Sequence, residues 1–203
     1  MIKAFIFDLG GVLVFHDQRG FVRAIAKRYG IDAKRFRAVE LRERLKHDAG
    51  AIPTATYLRN IGREFGVRFE REQYYRWFFS KFTQTNTPLL ALIRKLRPQY
   101  LIFLLSNSSP PAYRHVRASG MAKLFKRMLF SYRVKRKKPD PAFFRAVLRG
   151  TGITFAEYVF IDDRADITAA AKRLGMHTVT YTTVPATRRA LAGMGIALGS
   201  KRR

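Results

Sequence analysis

The sequence of 203 residues predicts an α/β fold, a doubly wound parallel sheet of five strands with a small all-helical insert after the first strand. From residue 88 onward, short apolar runs alternate with helical segments, which is typical of a parallel sheet covered by helices on both faces. Between residues 16 and 86, apolar residues recur at helical spacing instead. We therefore expect residues 1–15 and 87–203 to form the core and residues 16–86 to form the insert.

Five apolar runs of the core are predicted to be strands. The first is nearly continuous, as in a strand that is buried on both faces. In chain order the runs are Lys3–Phe7, Tyr100–Leu105, Met128–Phe130, Tyr158–Ile161 and Thr178–Tyr181. Helices are predicted over 89–96, after Pro110-Pro111, from Pro141 with Asp140 as N-cap, and over 167–174.

Four helices are predicted for the insert, over residues 21–29, 33–47, 54–65 and 70–82. The last of them carries a dense aromatic stripe. Its members are Tyr74, Tyr75, Trp77, Phe78, Phe79 and Phe82. Aromatic residues at this spacing favour the core of a helix bundle over a cofactor site.

The composition excludes several classes of protein. Hydrophobic residues make up 47% of the chain, which is enough to bury a core and excludes a disordered protein. The absence of cysteine excludes disulfides, thiolate metal sites and cysteine nucleophiles. The N-terminal apolar run is too short for a signal peptide, and no run approaches the roughly 20 residues of a membrane helix. We interpret the chain as cytoplasmic and soluble.

The formal net charge of +26 predicts attraction to polyanions or phosphorylated small molecules. It has two interpretations. One is a basic composition shared by the proteins of the same organism. The other is attachment to nucleic acid or another polyanion through the segment Arg133–Lys138 and the tail Lys201–Arg203.

Polar residues follow three of the predicted strands. They are Asp8, Ser106-Asn107 and Asp162-Asp163. Because the carboxyl ends of parallel strands meet at one edge of a sheet, we expect these side chains to lie together. Three carboxylates repel one another unless a cation joins them, and oxygen ligands favour Mg²⁺.

Each of these residues also has an ordinary structural interpretation. Asp8 alone could cap a loop, and Asp162-Asp163 could stabilise a helix N-terminus. Lys138 ends a basic run and could be surface charge, but its position before Pro139 and a predicted helix favours a place at the same edge.

The order of four short motifs resembles that of the haloacid dehalogenase-like (HAD) hydrolases. The motifs are Asp8-Leu9-Gly10-Gly11-Val12, Ser106-Asn107, Lys138-Pro139-Asp140-Pro141 and Phe160-Ile161-Asp162-Asp163. The resemblance implies a Rossmann-like core, with the helical insert as a cap domain. The Asp-x-Gly form of the first motif is similar to that of sugar phosphatases such as the bacterial glucose-1-phosphatases. A more distant similarity is to the phosphatase domain of soluble epoxide hydrolase.

The resemblance also implies roles for individual residues. Asp8 would be the nucleophile and form an aspartyl-phosphate. Mg²⁺ would be held by Asp8, the backbone carbonyl of Gly10 and Asp163, with Asp162 reaching it directly or through water. The transferring phosphoryl group would be bound by Gly10, Gly11, Ser106, Asn107 and Lys138, of which Ser106 and Lys138 would be catalytic.

The sequence departs from the resemblance at Gly10, where most phosphatases of this family carry a second aspartate as general acid and base. Its loss predicts slower turnover, since general acid–base catalysis contributes about 10²–10⁴-fold. His16 could substitute, although a structural or solvated role is the simpler interpretation. The family's dehalogenases also lack this aspartate.

Two functions are consistent with the sequence. The first is a Mg²⁺-dependent phosphatase that acts on a small phosphate monoester, such as a sugar phosphate. The alternative is a weakly active or inactive protein of the HAD fold that binds nucleic acid or another polyanion through its basic surface. The intact Asp8, Ser106, Lys138 and Asp163 favour the first function, whereas Gly10 and the charge favour the second.

Overall fold

The computed structural model describes residues 1–197. The strands in this range are β1 (Ala4–Phe7), β2 (Val14–His16), β3 (Thr83–Thr85), β4 (Leu101–Ser106), β5 (Arg127–Phe130), β6 (Tyr158–Asp162) and β7 (His177–Thr180). The α-helices in it are α1 (Gln18–Tyr29), α2 (Ala33–Asp48), α3 (Thr54–Phe65), α4 (Arg71–Lys81), α5 (Thr87–Leu96), α6 (Pro110–Ala118), α7 (Ser131–Val134), α8 (Pro141–Leu148), α9 (Ala165–Arg173) and α10 (Val184–Gly193). The basic tail 201–203 lies outside the described residues.

The central sheet confirms the predicted fold class. Its five strands are parallel and lie in the order β5-β4-β1-β6-β7. Strand β1 therefore lies in the centre, and Phe7 pairs with Leu104 of β4 on one side and with Ile161 of β6 on the other. This order places the residues that follow β1, β4 and β6 side by side at the carboxyl edge.

Helices cover both faces of the sheet, as the alternating pattern predicts. Phe5 and Phe7 of β1 face a buried apolar cluster to which α5, α6 and α10 contribute. Ala4 and Ile6 face a second cluster with residues of α8 and α9. Both faces of β1 are thus buried, which explains its uninterrupted apolar sequence.

Helices α1–α4 pack around an apolar cluster of their own. Phe21 of α1 makes an edge-to-face contact with Tyr74 of α4, with ring centroids 5.1 Å apart, and both side chains are buried. Most of the aromatic stripe packs against this cluster, as predicted. Phe79 instead stacks on His115 of α6, with ring centroids 4.3 Å apart, and so joins α4 to the core.

A two-stranded antiparallel ribbon is a feature that the sequence pattern did not predict. It pairs β2 with β3 at the two ends of the α1–α4 segment, so β3 adds a strand to a region predicted to be all helical. After the ribbon, Asn86 caps α5 and donates hydrogen bonds from Nδ2 to the carbonyl of Val12 and the hydroxyl of Tyr181, at 2.8 and 2.7 Å. None of the described helices is long and apolar enough to cross a membrane.

Candidate active site

Asp8 lies at the point where β1 ends. Its backbone N–H donates to the carbonyl of Ile161, 2.9 Å away, so the pairing with β6 holds Asp8 beside the end of that strand. Its side chain is largely buried, and Oδ1 lies 2.7 Å from Nζ of Lys138. The same Nζ lies 2.6 Å from Oδ2 of Asp162, which is 1% exposed. One buried ammonium group therefore joins the carboxylates that follow two neighbouring strands.

Asp163 completes a group of three carboxylates. One oxygen each of Asp8, Asp162 and Asp163 lies within 4.8 Å of the other two. The three carboxylates and the ammonium of Lys138 leave a net charge of −2, which a divalent cation would neutralise. An all-oxygen donor set of this kind fits Mg²⁺. The residues present therefore suit the metal that the sequence predicted.

The closeness of the three carboxyl groups, together with their burial, shifts the pKa values of Asp8 and Asp163. Burial raises the pKa of Asp8 to about 6, against the opposing effect of Lys138, and Asp162 raises it further. Burial and the charge of Asp162 also raise the pKa of Asp163. The raised pKa values show that the protein groups around Asp8 and Asp163 do not fully neutralise the two carboxylates. A bound cation would supply the missing positive charge.

The turn after Asp8 packs against the same carboxylates. The N–H of Gly11 donates to the carbonyl of Val14 at 2.8 Å, and Gly10 forms a bridge with Val14. Gly11 has a positive φ of 76°, and a Cβ there would collide with the carboxylate of Asp163. The backbone conformation favours glycine at position 11, and the carboxylate of Asp163 would have to move to admit any other side chain there.

Lys138 is positioned by its main chain as well as by the two aspartates. Nδ2 of Asn107 donates to the carbonyl of Lys138 at 2.9 Å, and Oδ1 of Asn107 accepts from its N–H at 2.8 Å. The side chain of Lys138 is only 2% exposed, although it ends a run of basic residues. The structure thus brings Lys138 to the site, whereas Lys135 and Lys137 of the same run are exposed on the surface.

Ser106 is buried at the end of β4, beside Asp8 in the sheet order. Its hydroxyl lies 2.9 Å from the hydroxyl of Ser108. The N–H of Ser108 donates to Oγ of Ser131 at 2.9 Å, and that hydroxyl donates to the carbonyl of Asp48 at the end of α2. The sequence analysis did not identify Ser108 or Ser131, and a serine near a strand end carries no signal that would have singled them out.

A cavity of about 260 Å³ opens over these residues. Its floor includes Asp8, Gly10, Ser106, Asn107, Lys138 and Asp162. Its roof is formed by side chains from α1–α4, which include Glu40, Arg44, Asp48, Tyr57, Tyr74, Tyr75, Phe78 and Phe79. The cavity is smaller than the roughly 300–1,000 Å³ of pockets for drug-sized ligands, so it suits a small molecule.

His16 also lines this cavity. Its Nδ1 lies 2.9 Å from the hydroxyl of Thr83 across the β2–β3 ribbon, and its ring packs against Phe78. Desolvation by the cavity walls lowers the pKa of His16 to about 4, and the nearby His115 and Arg44 add to this shift, even though part of the residue surface is exposed. The ring is therefore neutral at pH 7 and could accept a proton more readily than it could supply one.

Comparison with known proteins settles the family. Residues 2–175 match the model of the haloacid dehalogenase-like hydrolases, which is most of the chain. The chain belongs to this family. The four motifs that suggested the resemblance lie within the matched residues, and three of them bring their side chains to the floor of the cavity directly from the ends of β1, β4 and β6.

Two relatives of this HAD protein act on phosphorylated carbohydrates or polyols according to their names. The D-ribitol-5-phosphate phosphatase of Bacteroides thetaiotaomicron is 24% identical over 189 residues, covering 88% of this chain and 91% of the relative. The phosphorylated carbohydrates phosphatase of Thermotoga maritima is 26% identical over 187 residues, covering 88% and 84%. The HAD protein described here is therefore related to phosphatases over most of its length.

A solved structure with the same fold is a HAD family enzyme from Bacteroides thetaiotaomicron in complex with magnesium and inorganic phosphate. It superimposes with a TM-score of 0.76 at 27% identity, covering 91% of this chain and 96% of that chain. The fold is therefore shared over nearly the whole length of both chains.

Proposed function

We propose that this HAD protein is a Mg²⁺-dependent phosphatase that hydrolyses a small phosphate monoester, with Asp8 as the nucleophile. The observation that carries the proposal is the contact of Asp8 with Lys138 on the floor of the cavity, beside Asp162 and Asp163. A carboxylate that faces a cavity and lies next to fixed positive charge can attack an anionic phosphoryl group without prohibitive repulsion. The phosphatase relatives support the same reaction.

The proposed reaction has two steps. In the first, a carboxylate oxygen of Asp8 attacks phosphorus, the bond from phosphorus to the leaving-group oxygen breaks, and that oxygen takes up a proton. In the second, water attacks phosphorus and the bond from phosphorus to the Asp8 oxygen breaks. Inorganic phosphate leaves, the proton of the water passes to solvent, and the carboxylate is restored. Splitting the hydrolysis in this way is covalent catalysis. Lys138 and Ser106 would bind the oxygens of the transferring group, on which charge is spread in the transition state.

Mg²⁺ would be held by Asp8, Asp162, Asp163 and the carbonyl of Gly10. When bound, it would supply positive charge that neutralises the carboxylates and the phosphoryl oxygens. This assignment rests on the proximity of the three carboxylates and on their net charge with Lys138.

The names of the relatives indicate the substrate class. We propose a phosphorylated polyol or sugar, with helices α1–α4 acting as a cap that encloses it. The cavity has a small volume and is covered by side chains of these helices, so it has room for a substrate of only a few carbon atoms.

The absence of an aspartate at position 10 leaves the leaving-group oxygen without an obvious proton donor. We propose that turnover is therefore slow for alkyl phosphates and much faster for esters with an acidic leaving group. p-Nitrophenyl phosphate has such a leaving group, since p-nitrophenolate is stable without a proton.

The decisive experiment compares the wild type with Asp8→Asn, using p-nitrophenyl phosphate with Mg²⁺ and with EDTA. An amide is nearly isosteric with a carboxylate but is a poor nucleophile, so we expect at least a thousandfold loss of activity with an unchanged circular dichroism spectrum. The matched control is Asp17→Asn, which alters an exposed aspartate at the N-terminus of α1 and should keep wild-type activity. Activity of Asp8→Asn within tenfold of the wild type would refute the mechanism.

A further inference from the structure

The roof of the cavity contains a polar cluster that the proposed reaction does not use. We call Glu40, Arg44, Asp48, Tyr57 and Tyr74 the roof cluster; all five line the cavity. Glu40, Arg44 and Asp48 lie one turn apart along α2, and the tyrosines come from α3 and α4. Glu40, Tyr57 and Tyr74 are buried, and burying charged and hydroxyl groups in a small helical bundle is costly unless they are paired.

Glu40 is the centre of this cluster and is 2% exposed. Its Oε1 accepts a hydrogen bond from the hydroxyl of Tyr57 at 3.1 Å, and that hydroxyl lies 3.3 Å from the hydroxyl of Tyr74. Nε of Arg44 lies 3.1 Å from the same Oε1, although it is poorly aligned for a hydrogen bond. Nε2 of Gln18 donates to the other oxygen of Glu40, Oε2, at 3.3 Å. The cluster is therefore held together, and Oε2 of Glu40 keeps one acceptor position for a ligand.

The loose contacts of Arg44 leave donors available to a ligand. Its Nη1 is 3.8 Å from Oδ2 of Asp48, which is beyond hydrogen-bond distance, and its side chain is 39% exposed, whereas its Nε is buried against Glu40. The carboxylates are also incompletely compensated. Burial raises the pKa of Glu40, and it raises the pKa of Asp48 to about 7 despite the opposing charge of Arg44. A ligand that both donates and accepts hydrogen bonds would satisfy both sides.

We propose that the roof cluster is the binding subsite for the leaving group of the substrate and that it selects an uncharged leaving group with several hydroxyls. This inference rests on the proposed phosphatase function. Each hydroxyl can donate to Glu40 or Asp48 and accept from Arg44, which matches the mixed donors and acceptors of the cluster. The cluster thereby determines specificity, whereas Asp8 and Lys138 carry out the reaction.

Other leaving groups fit the roof cluster less well. A second anionic group would face the carboxylates of Glu40 and Asp48, even though the protein as a whole is strongly basic. An ammonium group would face the guanidinium of Arg44. A plain alkyl chain would displace water from the cluster but make no hydrogen bonds in place of those to water. Binding of an alkyl ester would then be weakened, because the buried polar groups of the cluster would be left unpaired.

The test measures kcat/KM for four esters that share a five-carbon chain. They are D-ribitol 5-phosphate, n-pentyl phosphate and the terminal carboxy and amino derivatives of n-pentyl phosphate, with p-nitrophenyl phosphate as the reference for the chemical step. We expect the wild type to prefer D-ribitol 5-phosphate to each of the other three alkyl esters by at least tenfold. Tyr57→Phe and Tyr74→Phe should each lower this preference at least fivefold.

Glu40→Gln gives the sharpest prediction. It removes a negative charge and releases Arg44, so it should lower the preference for D-ribitol 5-phosphate and raise kcat/KM for the carboxy ester at least fivefold relative to n-pentyl phosphate. The matched controls are Glu43→Gln and Tyr158→Phe. Glu43 is equally buried on α2 and bonds to Asn60, and Tyr158 bonds to Thr151; both lie outside the cavity lining. Neither control should change the ratios.

The experiment distinguishes failure of this inference from failure of the proposed phosphatase function. If the wild type hydrolyses p-nitrophenyl phosphate but shows no preference for D-ribitol 5-phosphate, or if the roof variants change the ratios no more than the controls do, the inference is wrong and the phosphatase function stands. If the wild type hydrolyses neither p-nitrophenyl phosphate nor any alkyl ester, both are wrong. Should Glu40→Gln not fold, the two tyrosine variants still decide the matter.

Discussion

Asn107 binds the main chain of Lys138 through both ends of its carboxamide, donating to the carbonyl at 2.9 Å and accepting from the N–H at 2.8 Å. The resemblance to the HAD hydrolases implied that Asn107 would help to bind the phosphoryl group. The structure adds a second relationship, because the residue after β4 fixes the backbone of the lysine whose Nζ lies 2.7 Å from Asp8. We therefore regard Asn107 as a positioning residue for Lys138.

Asn107→Ala should displace Lys138 and lower kcat for p-nitrophenyl phosphate by about tenfold to a hundredfold, since a displacement of about 1 Å near reacting groups can cost about 10²-fold. The measurement is kcat and KM at saturating Mg²⁺. Asn107→Asp, which keeps the acceptor and loses the donor, should recover part of the loss. A control is Asn60→Ala, which removes a half-buried asparagine that bonds to Glu43 outside the cavity. Equal effects of the two alanine variants on kcat would contradict the positioning role.

Asp163→Ala should abolish stabilisation by Mg²⁺. A ligand at a hundredfold excess over its Kd stabilises a protein by about 2.7 kcal/mol, which is roughly 5–11 °C in Tm for a chain of this length. We expect such a rise for the wild type, measured by thermal denaturation with and without Mg²⁺, and none for the variant. Without Mg²⁺, the variant should be at least as stable as the wild type, because repulsion with Asp162 is removed.

The matched control for the metal site is Asp166→Ala. Asp166 lies three residues further along and is exposed, and its Oδ2 pairs with Arg164 at 2.6 Å. It is not part of the three-carboxylate group, so its variant should keep the response to Mg²⁺. If neither Mg²⁺ nor EDTA changes the Tm of the wild-type protein, the result argues against a metal site.

The sheet and the floor of the cavity could be predicted from the sequence because both depend on local patterns. Short apolar runs that end in Asp8, Ser106 or Asp162 indicate strand ends, and parallel strands bring their ends to the same edge of the sheet. The order β4-β1-β6 then makes these three ends neighbours. The ribbon formed by β2 and β3 could not be predicted. Each of its strands has three residues, which is too few for alternation to be recognised, and the partners are separated by the whole of α1–α4.

The roof of the cavity could not be predicted for a different reason. Glu40, Arg44 and Asp48 follow one another at intervals of four residues, which is the usual pattern of ion pairs on an exposed helix face. Only the packing of α3 and α4 against α2 turns this face inward and adds Tyr57 and Tyr74 to it. Tertiary contacts of this kind leave no trace in the periodicity of α2 itself.

Asp48→Asn should make the stability of the protein depend less on pH between pH 5 and pH 8. Burial raises the pKa of Asp48 to about 7 in the folded state, above its ordinary value of 3.8. Between pH 3.8 and pH 7, Asp48 is deprotonated in the unfolded chain but still protonated in the folded chain. The free energy of unfolding therefore falls as the pH rises through this range, and the loss is complete above about pH 7. Replacing Asp48 should therefore stabilise the protein more at pH 8 than at pH 5.

We expect this difference to be about 1–2 kcal/mol, which corresponds to roughly 2–8 °C in Tm. The measurement is Tm of both proteins at the two pH values without Mg²⁺. Groups around Asp48 that also carry charge are Arg44, Glu40 and Lys137, and they are present in both proteins. Asp32→Asn, at the exposed start of the same helix, serves as the control and should keep the wild-type pH dependence. A Tm difference between Asp48→Asn and the wild type that is the same at pH 5 and pH 8 would show that Asp48 does not titrate in this range.

Gly10→Asp should supply the missing proton donor. The structure removes the main steric objection, since a Cβ at Gly10 would meet no atom of the described residues within 4 Å and its φ is not in the left-handed region. We expect kcat/KM for n-pentyl phosphate to rise at least tenfold, at the lower end of what general acid catalysis contributes. The rise should be much smaller for p-nitrophenyl phosphate, whose leaving group needs no proton.

The measurement that isolates this effect is the dependence of log kcat on leaving-group pKa over a series of phosphate esters. The wild type should show a steep slope, and Gly10→Asp a shallower one, because a donated proton cancels the charge that develops on the leaving oxygen. Gly11→Asp is the control, since its positive φ and the collision with Asp163 should disable the site. If Gly10→Asp folds and binds Mg²⁺ with an unchanged slope, the new carboxyl group does not protonate the leaving oxygen. His16→Gln should also leave the slope unchanged, because the neutral ring of His16 holds no imidazolium proton to supply. If neither variant changes it, proton transfer to the leaving group does not limit the rate.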